Sequence, residues 1–187
     1  MFDSRGLLNM TSKPTPSQRV LAALLGAVLL GPTATLAREK ITLGWLERIR
    51  VDGADLLLRA KLDTGAKTAS IHATDIERFE RGGERMVRFK LWLDHRDPNS
   101  QTITVEKPLA RDVTIKLRGT AKNAERASVK LQFCLGGRRY ESLFTLVNRA
   151  KFNYPVLLGR RFLAKLATID PAAKFRTEPT CPTASPP

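Results

Sequence analysis

An all-β fold, a small closed barrel with one short helix near its C-terminal end, is what this sequence predicts. Two observations carry that. Short apolar segments, many of them alternating with polar residues, recur along the chain and are separated by turns rich in Gly, Asp and Pro. One stretch alone, Arg161-Phe162-Leu163-Ala164-Lys165-Leu166, carries a helical pattern, and it is short. The 187 residues, 42% hydrophobic and 27% charged, suit one globular domain with a real core.

The chain opens differently. Arg5, Lys13 and Arg19 make a basic start, and 20–31 is an uncharged run of Val, Leu, Ala and Gly. Thr35-Leu36-Ala37 then places small residues where a signal peptidase reads. The expected organisation is a signal peptide over 1–37, a barrel over 38–176 and a disordered Pro-rich tail over 177–187. An uncleaved N-terminal anchor is the rival reading, although the apolar run is short for a span of about 20 residues. Cleavage after Ala37 predicts a periplasmic or secreted protein with 29 basic against 17 acidic residues, a net charge of +12. The basic residues alternate with apolar ones and no aromatic platform interleaves them, so no nucleic-acid partner is expected. Weak contact with an anionic membrane or cell wall is. In an oxidising compartment Cys134 and Cys181 could pair; the alternative is a buried thiol and a tail thiol.

In order, Ile41 to Val51 reads as a strand, Asp52-Gly53 as a turn, and Ala54 to Leu62 as the returning strand of a hairpin. Thr68 to Ala73 is extended. The charged segment Asp75 to Arg81 ends at a Gly82-Gly83 turn. Met86 to Leu93 alternates, with Val87, Phe89, Leu91 and Leu93 on one face. Thr102 to Glu106 alternates until Pro108, and Val113 to Leu117 follows. Ser128 to Leu135 and Tyr140 to Val147 flank Gly136-Gly137 as a hairpin. Val156 to Leu158, the helix, and Ala167 to Asp170 complete the barrel.

The hairpin delivers Leu62-Asp63-Thr64-Gly65-Ala66, an acid where a buried strand breaks into a tight turn. A carboxylate leaving water there needs donors or a retained proton. Thr64 offers a hydroxyl and an N–H, and Gly65 offers positive φ and close approach. Asp-Thr-Gly is also an ordinary turn sequence. Downstream, Tyr154-Pro155-Val156-Leu157-Leu158-Gly159-Arg160 is an apolar strand closed by Gly. An apolar strand ending in Asp-Thr-Gly, followed by an apolar-apolar-Gly element, resembles the retropepsin-like aspartic peptidases. The wider set, Gly44-Trp45, Ala60 to Ala73, Asp75-Ile76-Glu77, Val87-Arg88-Phe89, Leu157 to Arg160 and Asp170-Pro171, is similar to a bacterial branch of that type labelled ATP-dependent zinc protease.

The resemblance implies a retropepsin-type barrel and an endopeptidase that cuts a peptide or protein substrate. Asp63 would be catalytic, with Thr64, Gly65 and Ala66 as the active-site loop and Leu158 and Gly159 supporting it from beneath. Such chemistry takes two carboxylates, and no second Asp-Thr-Gly or Asp-Ser-Gly is present, so a homodimer with one Asp63 per copy is implied. The segment from Gly82-Gly83 through Ser100 is the expected flap, by position. From Asp63 to Gly159 is 96 positions, longer than in compact viral members. No cofactor and no metal are expected. The chain has two histidines, His72 and His95, with no His-Glu-x-x-His helix and no phosphate-binding Gly-Lys-Ser/Thr loop. His72 reads as a structural or cleft-lining residue and His95 as a loop residue. The runner-up function is a non-catalytic periplasmic module that binds a peptide or cell-wall acid; the third is a zinc hydrolase.

Overall fold

The computed structural model describes residues 39–181, apart from Asp55 and 117–122. The expected signal peptide, 1–37, lies outside the described residues. Among the described residues, eleven strands and one helix follow in order: β1 (Ile41–Val51), β2 (Leu56–Asp63), β3 (Ala69–His72), β4 (Thr74–Arg81), β5 (Glu84–Trp92), β6 (Thr102–Pro108), β7 (Arg111–Lys116), β8 (Asn123–Leu135), β9 (Arg138–Val147), β10 (Val156–Gly159), α1 (Arg160–Leu163) and β11 (Ala167–Lys174).

Six strands close a barrel in the order β1-β2-β10-β3-β9-β8, and β1 returns to β8 through Arg50 opposite Cys134 and Val51 opposite Phe133. Closure removes the two edges that a sheet would otherwise present. β11 adds to β1 in parallel, and β7 adds to β8. The predicted hairpins are both there: β1 with β2, and β8 with β9. Gly136 and Gly137 turn the second at φ 57° and 73°, a conformation L side chains resist.

Alternation decides what faces inward. In β2, Leu56, Leu58, Ala60 and Leu62 are buried, while Leu57, Arg59, Lys61 and Asp63 take the outer face. Ile49, Ile71, Phe133, Phe144, Leu146 and Leu158 complete a core that Leu163 of α1 caps. In β5, Val87, Phe89 and Leu91 are buried as expected, but the strand ends at Trp92 and Leu93 is half exposed.

β4, β5 and β6 form a separate three-stranded sheet. The segment expected as a flap, Gly82-Gly83 through Ser100, becomes the β4–β5 turn, β5 itself and the loop that follows it. That loop buries His95, whose ring lies 5.5 Å from the ring of His72. His72 ends β3 and accepts a 2.8 Å hydrogen bond at Nδ1 from the Arg149 backbone N–H. An imidazole accepting there has no lone pair to spare for a proton. Burial, then the neighbouring His95, then the Arg149 charge push His72 down from 6.5 to about 4. Burial moves His95 in the same direction against the pull of the Phe152 carbonyl.

The C-terminal segment departs from expectation. Thr177 was expected to begin a disordered tail; instead Thr177 and Cys181 are tied to the barrel. Glu47 of β1 is wholly buried, and its carboxylate accepts from Gly44 N at 2.7 Å, Arg176 N at 3.0 Å, and Thr177 N and Oγ1 at 3.3 and 3.2 Å. Four donors replace the water that this charge gave up. Gly137 N donates to Glu178 O, and Cys181 is disulfide-bonded to Cys134 of β8 with Cα atoms 5.7 Å apart. A Cβ on Gly44 would meet Ala173 O at 2.6 Å, so this crossing also needs a glycine.

Two outcomes follow. Replacing Cys134 and Cys181 by Ala frees a strap closed over 47 positions, and chemical denaturation should show a loss of about 3 kcal/mol. The His72 effect has a definite sign: its folded pKa lies below its unfolded one, so only the unfolded chain takes up the proton between pH 6.5 and about 4. Stability is full above that window and falls as pH drops through it, by at most about 1.4 kcal/mol per pH unit for this group. Unfolding free energies at pH 7 and pH 5 measure it, and His72→Asn, which keeps an acceptor but cannot titrate, should flatten the slope.

Candidate active site

Asp63 is the last residue of β2, and its neighbour across the parallel β2–β10 pairing is Gly159. Leu158, one step back, is fully buried beside Leu62, which holds the end of β2 from beneath. A Cβ on residue 159 would lie 2.5 Å from Thr68 O and 2.8 Å from Thr68 N. Backbone cannot yield there, so the glycine is what lets the returning chain cross under the 64–68 loop. The loop is held from below by its carbonyls: Arg160 N donates to Ala66 O at 2.8 Å, Arg161 N to Lys67 O at 3.3 Å, and the Arg160 guanidinium to Gly65 O at 3.0 Å.

The carboxylate is fixed at one oxygen. Asp63 Oδ1 accepts from Gly65 N at 3.0 Å and Ala66 N at 3.2 Å, while Oδ2 accepts from Lys61 Nζ at 3.1 Å. Partial burial pushes the acid up; the Lys61 hydrogen bond and charge, with the two N–H donors, outweigh it and leave Asp63 below the ordinary carboxylate value of 3.8. Its side chain is 25% exposed, so solvent reaches it. Gly65 does not take the positive φ that the sequence suggested; its missing side chain leaves room for Oδ1, which a Cβ would meet at 3.2 Å. Thr64 is exposed and its hydroxyl makes no hydrogen bond among the described residues.

Asp63 opens on a cleft of about 410 Å³ walled by Trp45 of β1, Lys61, Leu157 of β10, and Arg149, Phe152, Asn153 and Tyr154 of the β9–β10 loop. Trp45 and Tyr154 meet edge to face with ring centres 5.8 Å apart. No residue of the flap expected over 82–100 is among these walls. The β9–β10 loop gave no sequence signal beyond its aromatics and its Pro. Trp45 belonged to the recognised pattern without a role, as did Lys61. Cations rim the cleft: Lys174 lies over the Trp45 ring at 5.3 Å and Arg59 near the Tyr154 ring at 6.0 Å.

A zinc site does not fit the donors here. His72 spends its Nδ1 lone pair on the Arg149 N–H, and His95 Nε2 is engaged with Phe152 O at 2.8 Å. Both cysteines are joined to each other. Among the described residues no three His, Cys, Asp or Glu side chains converge.

Comparison with known proteins agrees with this geometry. Alpha-L-glutamate ligases so named, with the qualifier "probable", from Shewanella pealeana and Parasynechococcus marenigrum are 34% identical over 120 residues and 30% identical over 137 residues. Those matches cover 63% and 71% of this chain but 25% and 28% of the relatives, so the chain spans about a quarter of their length. A Legionella pneumophila protein of unknown function, known from a crystal structure, superposes with a TM-score of 0.64 at 31% identity, covering 75% of this chain and 100% of that one. A family model described as "Retropepsin-like aspartic endopeptidase RimB" matches residues 42–180. With an Asp-Thr-Gly turn at the end of one barrel strand and Leu-Leu-Gly on the strand beside it, the chain belongs to this RimB-like family of retropepsin-like aspartic endopeptidases.

Proposed function

We propose that this protein is an aspartic endopeptidase that works as a homodimer, each copy supplying Asp63. The observation that carries the reading is a partly exposed carboxylate locked at one oxygen by two backbone N–H groups, at the mouth of a peptide-sized cleft. One carboxylate of the facing pair takes a proton from a water, and its mate, protonated, donates to the scissile carbonyl. One copy has one such acid, so the site is completed only by a second. Because Lys61 favours the ionised form of Asp63, the shared proton is retained only in acid, and activity belongs on the acid side of neutrality.

The basic rim of Lys61, Arg149, Arg59 and Lys174 suits an acidic peptide. The relatives' name, probable glutamate ligase, names glutamate, an acidic residue, but a bond-forming activity rather than cleavage, and it belongs to proteins of which this chain spans about a quarter. We place the reaction in the periplasm or outside the cell, on the pattern of 1–37 and on the Cys134–Cys181 bond, which persists in oxidising compartments. There a strongly basic chain also has weak affinity for anionic membrane or cell wall. A second reading, a binding module without catalysis, is favoured by the Lys61–Asp63 ion pair, which neutralises the carboxylate of a single copy.

Asp63→Asn separates the two. On the endopeptidase reading it lowers peptide cleavage on the order of 10³-fold or more while the thermal transition is kept; unchanged cleavage would remove Asp63 from the mechanism. Specific activity should also fall on dilution as copies separate, with sedimentation showing monomer at the same concentrations. A dilution-independent rate from a monomer would refute the shared site.

A further inference from the structure

Arg149 is a cation in an unusual place. It follows β9, is 7% exposed, and faces the Asp63 cleft. Its partners are all neutral. Nε donates to Tyr154 O at 3.0 Å, Nη1 donates to Ser70 Oγ at 2.9 Å, and the guanidinium lies 4.6 Å over the Phe152 ring. Its backbone N–H is committed to His72. Nη2 has no hydrogen-bond partner, and no carboxylate comes within ion-pair distance of the guanidinium, among the described residues. Buried arginines are ordinarily matched by an anion, because the charge gives up hydration that neutral acceptors replace only in part. Asp63 is the acid whose field reaches it, beyond contact distance, while Arg126 repels it.

The three contacts hold the guanidinium plane rigid. Such a fixed fork with a spare donor recognises a carboxylate better than a flexible ammonium does. The contacts to Ser70 and Tyr154 use donors that a neutral side chain could also supply, and the face on Phe152 is the one contact that draws on the charge.

We propose that Arg149 is the carboxylate-binding subsite of the cleft, taking an acidic side chain of the bound peptide through its uncommitted edge. This rests on the cleft being the peptide site, and it assigns the acidic preference to one residue rather than to the diffuse basic rim. The peptide bond to be cut then lies at Asp63, and the acidic side chain is anchored at the β9–β10 end of the same cleft.

The test is binding, read by calorimetry in the non-cleaving Asp63→Asn background, with acetyl-Glu-Glu-Glu-amide and its isosteric acetyl-Gln-Gln-Gln-amide as probes. The expected result is a preference for the Glu peptide of about tenfold or more. Arg149→Gln abolishes that preference by weakening the Glu peptide more than the Gln peptide; Arg149→Lys, charged but without the fork, is intermediate. Melting curves identify folded variants, and Arg149→Lys carries the test if Arg149→Gln does not fold. Equal loss of both peptides makes Arg149 structural, and an undiminished Glu preference in either folded variant assigns it to the rim; each overturns the proposal, as does a parent chain that binds neither probe. If the wild-type chain cuts neither peptide while the preference and its loss persist, the endopeptidase reading falls and the subsite stands.

Discussion

The parallel contact of β10 with β2 is the constraint on which the site depends. It sets Gly159 beside Asp63, and it exists only because residue 159 has no side chain where Thr68 passes. Moving β10 outward to fit even a methyl would withdraw Leu158 from the core and Arg160 N from Ala66 O together. The loop that presents Asp63 is therefore over-determined: sheet pairing from one side, hydrogen bonds to its carbonyls from below, and its own N–H groups folded onto Oδ1. A carboxylate on an ordinary hairpin turn would have none of the first two.

Three charged side chains share the problem of leaving water, and each meets it differently. Glu47 is buried completely and is satisfied completely, by donors that include one 129 positions away. Asp63 is satisfied at one oxygen by backbone and at the other by a solvent-exposed lysine. Arg149 is buried with neutral partners alone. Glu47 thus has nothing left to offer a ligand and acts as a fastener for the C-terminal strap. The group held by an exposed lysine and the group with neutral partners alone are the two that face the cleft, which is where binding capacity has a use.

The barrel was legible in the sequence because its strands announce themselves locally. The inward residues of β2 and β5 alternate, and both hairpins carry glycines at their turns. Asp63 and Gly159 were legible as a pair through their flanking apolar strands. The cleft was not, since Trp45, Lys61, Arg149 and Tyr154 come from separate segments that meet only once β1, β2 and the β9–β10 loop are assembled. The flap assignment leaned on position along the chain; residues 82–100 form the β4–β5 turn, β5 and the loop after it, and none of them lines the cleft. The tail misled for a related reason: Pro- and Thr-rich composition described it, but a buried carboxylate in β1 and a cysteine in β8 decided its path. Gly65 shows the limit of residue-type reasoning, its role being space for an oxygen rather than a left-handed turn.

The Lys61–Asp63 pair bears on how a carboxylate already occupied could become a catalytic one. Lys61 is 43% exposed, and ion pairs at such sites are worth about 0–1 kcal/mol. The two backbone bonds to Oδ1 belong to a rigid loop and are not given up at that level of energy. Oδ1 is therefore the fixed oxygen and Oδ2 the exchangeable one, free to trade an ammonium for a water or for the acid of a second copy. In the proposed dimer the lysines also arrive in pairs, so two ionised carboxylates approach with two compensating charges nearby and the encounter is not opposed as it would be for bare acids. In that dimer the same lysine, by stabilising the ionised acid, would oppose the protonation that the proposed chemistry requires. A small electrostatic effect, too weak to hold the site shut, would thus shift toward acid the pH at which the proposed dimer works.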